Sequence, residues 1–318
     1  MNYDINSLVT VAIPNYNNRD LLDNLLGSLK KSISLSQVII VDNASEDDST
    51  SLVRQKYPEV TLIENKTNRG FACAVNQAIK LVKTEYVFLL NNDTLLEEDT
   101  IISLLKTINI SCDIFSVSSK MIQYHNRKLL DDAGDEYTIL GWSKRRGYAK
   151  DISKYGIDEE VFSACAGAAL YRMSVFREIG LFDEAFESYV EDMDLSFRAR
   201  LHGYKCYYSS DAIVYHVGSA ATGSRYNEFK VRISARNNVY LIYKNMSLWM
   251  KIVNFLFMAL GTIIKYIFFY RKGFGNAYLD GIRVGLATRK KLTRTSSSFT
   301  NYLKVEYMLL KNTITFLK

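Results

Sequence analysis

Short apolar runs alternate with segments of helical periodicity over the first 120 residues, and this alternation restricts the chain to few folds. Four runs favour β-strands because they are short, apolar and rich in β-branched residues: residues 8–13, 38–41, 60–63 and 86–90. Four segments have helical spacing: residues 21–29, 49–56, 71–82 and 97–108. Strands that alternate with helices form parallel pairs with crossover helices, so the sequence predicts a three-layer α/β sandwich.

Two aspartates lie just beyond predicted strands. Asp42 follows the run 38–41, and Asp93 is the last residue of Asn91-Asn92-Asp93 after the run 86–90. Ligands of open α/β sheets bind beyond the carboxyl ends of the strands. Two carboxylates at that edge suit a ligand with ribose hydroxyls and metal-bound phosphates. A turn or helix-capping role is the alternative for either aspartate alone.

The chain between residues 121 and 215 is less regular. Residues 121–160 are polar and contain several glycines, which predicts a long loop or a small hairpin insertion. An acidic stretch at 183–194 leads into a helix that ends at Gly203. Two further strands are expected at 204–208 and 212–215.

Charge is distributed unevenly along the chain. Residues 244–318 carry 13 Lys and Arg against two acids, a net +11, whereas the whole chain carries +6, so residues 1–243 carry a net −5. This asymmetry predicts an anionic partner for the C-terminal segment, either nucleic acid or lipid. The four cysteines show no Cys-X-X-Cys spacing, which favours buried thiols in a reducing compartment over zinc or disulfides. The polar residues 1–7 do not fit a signal peptide.

Eight motifs, in this order and spacing, resemble those of family 2 glycosyltransferases, particularly the rhamnosyltransferase-like and galactofuranosyltransferase-like branches. They are VAIPNYNN (11–18), VIIVDNASEDDS (38–49), NRGFACAVNQAI (68–79), LLNNDT (89–94), LDDAGD (130–135), AGAALYRMSVF (166–176), GLFDEAFESYVEDMDLSFRARLHGY (180–204) and HVGSAATG (216–223). The resemblance implies a GT-A fold, an α/β/α sandwich with a mostly parallel nucleotide-binding sheet. It also implies a catalytic domain at 1–245, with a nucleotide-sugar-binding half (1–120) and an acceptor and catalytic half (121–245). The remaining 246–318 would be a helical, membrane-associating region.

The same resemblance implies a set of donor-binding residues. They are Pro14, Asn15, Tyr16, Asp42, Asn43, Asn68, Gly70, Phe71, Asn92 and Asp93. Asp42 would bind the base or ribose with Asn43 beside it, and Gly70 would let the backbone approach the ligand closely. Ordinary turn chemistry is the alternative for Asn43 and Asn68.

Residues 91–93 match the position of the family's metal-binding motif, and Asp93 is their only acid. The resemblance implies that Mg²⁺ or Mn²⁺ is bound by Asp93 together with His216, one of only three histidines in the chain. Such ions take hard oxygen ligands, often one or two carboxylates plus substrate phosphates. A structural role is the alternative for a lone histidine.

The resemblance further implies that Asp192 of the Glu191-Asp192 pair is the catalytic base, with Glu191 as the second candidate. Inverting transfer needs a carboxylate that deprotonates the acceptor hydroxyl, and a metal ion neutralises the departing diphosphate. Like-charge repulsion in the acidic stretch 183–194 is expected to raise some pKa values, which suits a base. A solvated acidic helix start is the alternative.

The stretch 249–270 has the length of a membrane-spanning helix. Of its 22 residues, only Lys251, Asn254, Gly261, Thr262 and Lys265 are not apolar. At helical spacing these five fall within an arc of about 100°. A narrow polar stripe favours a helix that lies on a membrane surface, or packs on the domain, over one that spans.

Basic groups adjoin this stretch. Arg271 and Lys272 follow it, and residues 289–294 contain four more Lys and Arg. Basic clusters beside amphipathic helices favour anionic lipid. The aromatic side chains fit a buried stripe better than a stacking surface, so no nucleic-acid partner is expected; they are Phe255, Phe257, Tyr266, Phe268 and Phe269. The expected location is cytoplasmic, peripheral on the inner face of the cell membrane.

The resemblance implies an inverting, metal-dependent glycosyltransferase of cell-surface polysaccharide biosynthesis, acting on a glycan or lipid-linked glycan. The PNYNN and LDDAGD forms and the Arg236-Asn237 pair look like the branch that uses dTDP-rhamnose. A UDP-sugar donor, such as galactofuranose or N-acetylglucosamine, is the main alternative. An inactive nucleotide-sugar-binding subunit of a glycan assembly complex is the alternative from another class.

Overall fold

The computed structural model describes residues 3–218 and 226–317 and contains a large mixed β-sheet with helices on both faces. Its strands are β1 (Val9–Asn15), β2 (Val38–Asp42), β3 (Thr61–Glu64), β4 (Tyr86–Leu90), β5 (Thr94–Leu96), β6 (Ile114–Gln123), β7 (Leu130–Asp132), β8 (Asp135–Tyr137), β9 (Ser143–Arg145), β10 (Glu159–Val161), β11 (Ala168–Arg172) and β12 (Lys205–His216). Its helices are α1 (Ile5–Leu8), α2 (Arg19–Leu29), α3 (Ser49–Lys56), α4 (Phe71–Ile79), α5 (Thr100–Ile108), α6 (Met173–Ile179), α7 (Glu191–Leu201), α8 (Glu228–Asn245), α9 (Leu248–Val253), α10 (Phe255–Arg271), α11 (Gly275–Thr288) and α12 (Phe299–Leu317). Residues 219–223 of the HVGSAATG motif lie outside the described residues.

The main sheet has the strand order β10-β12-β6-β11-β4-β1-β2-β3, with β5 paired to β12 and β7 to β6. Strands β4, β1, β2 and β3 are all parallel. Strand β11 is antiparallel to both β4 and β6. The four strands predicted in the first 120 residues are therefore parallel, and the sheet as a whole is mixed.

Alternating side chains bury both faces of the sheet. Val11 and Ile13 of β1 pack on one side with helices α2 and α5, whereas Ala12 packs on the other side with α4, α6 and α7. Successive strand residues point to opposite faces, so an apolar run needs a cover on both sides. This pattern confirms the α/β prediction and brings the carboxyl ends of β1, β2 and β4 to one edge.

For the middle of the chain, one prediction is confirmed in part and one is wrong. The segment 121–160 contains the predicted small hairpin, β8–β9, but the rest is not a loop, because β6 extends to Gln123 and the segment also contains β7 and the start of β10. The two strands predicted at 204–208 and 212–215 form the single strand β12, with a register shift between Tyr208 and Ile213. Residues 209–211 contain neither Gly nor Pro, so the strand continues through an irregularity instead of turning.

The C-terminal helices also differ from prediction. The stretch 249–270 forms two helices, because the chain turns at Asn254 between α9 and α10. Phe255, Phe257 and Phe268, which were expected in a buried stripe, are 63%, 47% and 41% exposed. Asn254, Gly261 and Lys265 face the protein instead, together with the partly buried Tyr266 and Phe269, which pack beside α8 and α11. In residues 3–218 and 226–317, no helix combines the length and the apolar character needed to cross a membrane.

Helix α11 packs closely on α8 at Gly281. A Cβ at this position would lie 2.2 Å from the carbonyl oxygen of Arg232, so we expect Gly281→Ala to lower the free energy of unfolding by about 1–3 kcal/mol. Gly27 of α2 is the matched control, since a Cβ there meets nothing within 4 Å and alanine should stabilise the helix by up to about 1 kcal/mol. Urea unfolding measures both variants. An unchanged midpoint for Gly281→Ala would contradict this packing.

Candidate active site

A cleft of about 1590 Å³ lies at the carboxyl ends of β1, β2 and β4 and extends to helices α8, α10 and α11. Open α/β sheets bind their ligands at this edge. Every predicted site residue except Asp42 lines the cleft: Pro14, Asn15, Tyr16, Asn43, Asn68, Gly70, Phe71, Asn92, Asp93, Glu191, Asp192 and His216. Residues that are far apart in the sequence thus meet in one cavity.

Asp42 lies below the cleft surface and is only 2% exposed. Its carboxylate accepts hydrogen bonds from Asn15 Nδ2 at 2.7 Å and from the Ser45 backbone N–H and hydroxyl at 2.8 and 2.6 Å. Asn92 Nδ2 donates to Asn15 Oδ1 at 2.7 Å and to the Asn17 carbonyl at 3.0 Å. These hydrogen bonds join the ends of β1, β2 and β4, so Asp42 and Asn92 shape the cleft floor. Contact of either residue with a nucleotide stays a prediction.

The loop before α4 is fitted to the segment that precedes α7. Gly70 has φ +80°, and a Cβ there would lie 2.9 Å from the carbonyl oxygen of Glu187. Asn43 Nδ2 donates to the Gly70 carbonyl at 3.1 Å, and the Gly70 N–H donates to Asn68 Oδ1 at 2.9 Å. The close neighbour of Gly70 is therefore the backbone of Glu187, whereas the sequence analysis expected a ligand there. Both asparagines line the cleft; Asn68 makes the turn-type bond of the alternative interpretation, whereas the Asn43 bond joins two loops that are 27 positions apart in the sequence.

Asp93 and His216 lie side by side as predicted. His216 ends β12, and its Nε2 lies 3.3 Å from Oδ1 of Asp93. Its Nδ1 lies 2.7 Å from Oδ2 of Asp131, and Arg145 Nη1 donates to Oδ1 of that aspartate at 2.9 Å. Burial lowers the pKa of His216, but the hydrogen bonds with Asp131 and Asp93 outweigh it and raise the pKa to about 10.

This pair fits a divalent cation. A carboxylate oxygen and an imidazole nitrogen converge on one point, and Asp131 fixes the imidazole through its other nitrogen. A carboxylate that orients a histidine ligand in this way is a common partner of metal sites. Sequence reasoning did not assign Asp131, although it lies in the LDDAGD motif. The Nδ2 atom of Asn92 is committed to Asn15 and Asn17. Asp93 is the only acid of residues 91–93.

The pairing of Asp131 with His216 predicts a measurable effect on metal affinity. We expect Asp131→Asn to weaken Mn²⁺ binding about 10- to 100-fold, because the imidazole loses the carboxylate that orients it. Titration of the protein with Mn²⁺, followed by electron paramagnetic resonance of the free ion, measures this affinity directly. Asp151→Asn, at an exposed acid on a surface turn, is the control and should bind Mn²⁺ like the parent. Equal affinities in both variants would contradict the assigned role.

Asp192 and Glu191 occupy the first turn of α7 and line the cleft. Asp192 Oδ1 accepts from the Met193 N–H at 2.7 Å, and Oδ2 lies 3.3 Å from the Ala166 nitrogen. Burial raises the pKa of Asp192, while these backbone donors lower it. Burial and the charge of Asp192 raise the pKa of Glu191 well above its usual range. The expected rise of some pKa values in this acidic stretch is therefore confirmed: burial is the largest cause in both residues, and like-charge repulsion contributes at Glu191.

The neighbouring Asp194 does not add to this repulsion between acids. This carboxylate is fully buried and bonds to Arg198 Nε at 2.9 Å, Lys244 Nζ at 3.0 Å and Asn245 Nδ2 at 2.7 Å. Its negative charge is thus neutralised on the side of α7 that faces α8. Asp183 caps a 3₁₀ turn through the Ala185 N–H.

A second acidic group lies at the cleft beside Cys165, and Asp135 and Cys165 are among the residues that line it. Ligand atoms of Asp132, Asp135 and Cys165 lie within 4.8 Å of one another, a spacing that metal sites also show. Burial raises the pKa of Asp132 to about 7, and burial and the charge of Asp132 raise that of Asp135 well above the usual range. A metal ion bound by either group would have to displace protons, from Asp132 and Asp135 in one case and from His216 in the other, so the metal site at Asp93 and His216 stays a prediction.

The family model for glycosyl transferase family 2 matches residues 10–180, more than half of the 318 residues. The chain belongs to this family. The match includes the donor-side motifs and Asp93 and ends before Glu191, Asp192 and His216. The roles of these last three residues in this family 2 chain therefore rest on the geometry above.

Relatives of this family 2 chain include several transferases. It is 28% identical over 197 residues to an uncharacterized glycosyltransferase of Rickettsia typhi, covering 60% of this chain and 58% of that protein. It is 28% identical over 211 residues to the O-antigen chain rhamnosyltransferase RfbN of Salmonella typhimurium, covering 65% and 66%. The chain thus spans between 58% and 66% of the lengths of these relatives.

Solved structures share the fold. Residues 1–349 of S. aureus TarS, in complex with UDP-GlcNAc, match with a TM-score of 0.58 and 18% identity over 94% of this chain and 90% of that one. A mannosyltransferase of Pyrobaculum calidifontis, in complex with GDP-Man and Mn²⁺, matches with a TM-score of 0.56 and 16% identity over 98% and 81%. At these identities the similarity concerns the fold alone.

The segment that leads into Asp192 is strained and held from α8. Glu187, Tyr189 and Val190 all have positive φ angles, of 60°, 68° and 71°, a conformation that costs energy for side chains of these types. The Asn237 amide nitrogen lies 2.7, 2.9 and 2.7 Å from the carbonyl oxygens of Phe186, Ser188 and Tyr189. Asn237 thus holds the segment that leads into Glu191 and Asp192, a role that the sequence pattern alone did not reveal.

The C-terminal helices contribute to the cleft as well. Lys265 and Phe269 of α10 and Tyr278 of α11 line it together with Arg145. Burial lowers the pKa of Lys265 to about 8. The cleft therefore combines aromatic and cationic side chains where it meets these helices.

Proposed function

We propose that this chain transfers a sugar, with inversion, from a nucleotide-sugar donor to a glycan or lipid-linked glycan in a metal-dependent reaction. The observation that carries the proposal is that Asp93, His216 and Asp192 line one cleft at the carboxyl ends of parallel strands. This set combines a cation-binding pair with a carboxylate whose pKa is raised by burial. Membership of family 2 supports the same activity.

Each part of the cleft has a separate task in this reaction. Asp192 accepts the proton of the acceptor hydroxyl as that oxygen attacks the anomeric carbon from the face opposite the diphosphate. A bound Mg²⁺ or Mn²⁺ neutralises the charge that develops on the departing nucleoside diphosphate. Asp93 and His216 would hold that ion, and Asp131 orients the histidine. The diphosphate then needs no acid catalyst to depart. Glu191 is the second candidate for the base.

We propose a dTDP-rhamnose donor. The similarity to the rhamnosyltransferase of Salmonella typhimurium supports it, as do the PNYNN and LDDAGD forms and the Arg236-Asn237 pair. A UDP-sugar is the alternative, since the chain is also 22% identical over 207 residues to a poly-β-1,6-N-acetyl-D-glucosamine synthase of Staphylococcus aureus.

The proposed setting is polysaccharide biosynthesis at the cytoplasmic face of the cell membrane. The O-antigen and poly-N-acetylglucosamine relatives are named for such polymers. A donor made in the cytoplasm and an acceptor on a lipid carrier meet at that face. The enzyme would attach there without a spanning helix of its own among the described residues.

Donor hydrolysis across a panel of nucleotide sugars tests the proposal. The full chain is incubated with dTDP-rhamnose, UDP-galactofuranose, UDP-GlcNAc and GDP-mannose, each with Mg²⁺ or Mn²⁺, and the released nucleotide is measured. We expect release from dTDP-rhamnose with either metal and none with chelator. Release of nucleotide from a UDP-sugar, and not from dTDP-rhamnose, would assign a UDP-sugar as the donor. The absence of turnover with every donor and metal would contradict the enzyme proposal.

A nucleotide-sugar-binding subunit without activity is the second candidate. The observation in its favour is that residues 91–93 contain one acid and that Asn92 is committed to Asn15 and Asn17. This candidate predicts donor binding in calorimetry with no release of nucleotide. The simultaneous presence of Asp93, His216 and Asp192 in the cleft favours the enzyme.

A further inference from the structure

Helix α10 turns its apolar face outward. Five residues at helical spacing form a stripe along it, each 45% to 75% exposed: Leu256, Leu260, Ile263, Ile267 and Tyr270. Positions three and four apart share one face of a helix, so the stripe runs the length of α10. Contiguous apolar patches of this kind mark interaction surfaces.

Asn254, Gly261 and Lys265 of the same stretch face the protein, whereas Thr262 is exposed. Asn254 is 1% exposed and donates to the Glu306 carboxylate of α12 at 2.8 and 3.0 Å. Gly261 is buried, and its carbonyl accepts from Trp142 Nε1 at 3.1 Å. Lys265 lies 5.7 Å from the Trp142 ring. A surface helix of a globular protein normally buries its apolar face, so α10 has the opposite orientation, and specific contacts hold it there.

Helix α12 carries a second exposed stripe at the same spacing: Phe299, Leu303, Tyr307, Leu310 and Ile314, each 43% to 69% exposed. The two helices are neighbours. Asn254 and Glu306 join them, and Trp142 contacts Phe316 of α12, with ring centroids 5.6 Å apart, as well as Lys265 of α10. We call these two stripes together the apolar platform.

Basic groups lie at both ends of the α9–α10 pair. Arg271 and Lys272 are exposed at the end of α10. The basic segment between α11 and α12 lies near α9, because Arg294 is 5.8 Å from the ring of Tyr243 and Lys251 of α9 donates to the Tyr243 carbonyl at 3.0 Å. The platform thus has exposed cations near each end.

The two acids of this region do not offset these bases. Asp280 pairs with Arg232 at 2.6 Å, and Glu306 is only 7% exposed. A second copy of this chain would bring an equally positive rim against the first, and like charges oppose that contact. Anionic lipid headgroups complement the bases, and the acyl region beneath them accepts the apolar stripes.

We propose that the apolar platform and its basic rim dock the protein on the anionic surface of a lipid bilayer. Helices α10 and α12 lie along the membrane, with their exposed apolar side chains below the headgroups and the bases at the phosphates. The proposal does not depend on sugar transfer, because it rests on exposure, packing and charge alone.

Docking has a consequence for the cleft, which does rest on the proposed function. Lys265 and Phe269 of α10 line the cleft, while the other side of that helix carries the platform. A docked α10 therefore holds this wall of the cleft next to the headgroups. An acceptor sugar on a membrane lipid would then reach the cleft while its lipid stays in the bilayer.

Co-sedimentation of the full chain with vesicles tests the docking proposal. One set is phosphatidylcholine alone, and the other is an equimolar mixture of phosphatidylcholine and phosphatidylglycerol. We expect binding to the mixture that weakens with added salt. The variant Leu256→Ser/Ile263→Ser/Ile267→Ser should lower the apparent affinity at least about tenfold. The variant Lys290→Ala/Lys291→Ala should lower it about 25-fold, from a factor of about five for each charge near the surface.

Matched controls separate docking from general loss of exposed groups. Leu81→Ser/Ile110→Ser/Ile157→Ser removes three exposed apolar side chains outside the platform, and Lys30→Ala/Lys31→Ala removes two exposed charges elsewhere. Both should bind like the parent, and unchanged far-ultraviolet circular dichroism establishes that the variants are folded. Failure of the parent to bind the mixture, or equal binding by the platform variants and their controls, would overturn the proposal. If the parent does not bind vesicles but self-associates, and Leu256→Ser/Ile263→Ser/Ile267→Ser abolishes that self-association, the platform contacts a second copy of the chain.

Discussion

Replacement of Asp192 by Asn is expected to lower the rate of sugar transfer about 10³-fold while donor binding is retained. An amide cannot accept the acceptor's proton, and a general base contributes about 10²–10⁴-fold to such a reaction. The side-chain oxygen of Asn can still accept from the Met193 N–H, as Oδ1 of Asp192 does, so the start of α7 should keep its shape. Transfer kinetics, together with calorimetry of donor binding, measure the two effects separately.

Glu191→Gln is the matched comparison for Asp192→Asn. Both variants neutralise one carboxyl group of the same helical turn, but only Asp192 is assigned the proton. We expect Glu191→Gln to keep most of the turnover. If Asp192→Asn keeps its activity and Glu191→Gln loses it, the base is Glu191 and the assignment is wrong.

The pH dependence of transfer provides a second test of the base. Burial raises the pKa of Asp192 above its usual 3.8, and the base works only when deprotonated. Activity should therefore fall as the pH drops through this raised pKa, at a higher pH than an ordinary aspartate would require. The acidic limb should disappear in the residual activity of Asp192→Asn. A limb that persists unchanged in this variant would belong to another group.

Local patterns in the sequence predict much of the fold. The runs 38–41 and 86–90 are apolar, short and followed by polar residues, and they correspond to β2 and β4 to within one residue. The helix predicted at 49–56 is α3 itself. Such elements follow from periodicity and from the residues that flank them, and their order brings the predicted site residues to one edge of the sheet.

These local patterns do not predict contacts between residues that are far apart in the sequence. Asn92 donates to Asn15, 77 positions away in the sequence, and no local signal indicates that this amide is committed. The pairing of Asp131 with His216 spans 85 positions. Periodicity also shows that 249–270 has a polar stripe and an apolar face. Which of them contacts the protein in α10 depends on Glu306 and Trp142, which belong to other parts of the fold.

Asp93→Asn is expected to abolish the metal dependence of transfer along with most of its rate. Asp93 is the one acid of residues 91–93, and Nε2 of His216 lies 3.3 Å from its carboxylate. A metal ion stabilises the departing diphosphate by several kcal/mol, so loss of this ligand should lower transfer about 10³-fold, at roughly 1.4 kcal/mol for each factor of ten. Electron paramagnetic resonance of Mn²⁺ measures binding, and nucleotide release measures turnover.

Glu98→Gln is the control for Asp93→Asn, because Glu98 is an exposed acid a few residues along the chain, and it should bind Mn²⁺ and turn over like the parent. The two measurements on Asp93→Asn distinguish three outcomes. Loss of both Mn²⁺ binding and transfer fits a metal ligand. Loss of transfer with Mn²⁺ affinity unchanged would mean that Asp93 acts on the donor directly and that the ligands lie elsewhere. Retention of both Mn²⁺ binding and transfer would mean that Asp93 is not part of the site. Residues 91–93 would then supply no acid that could balance a cation beside His216.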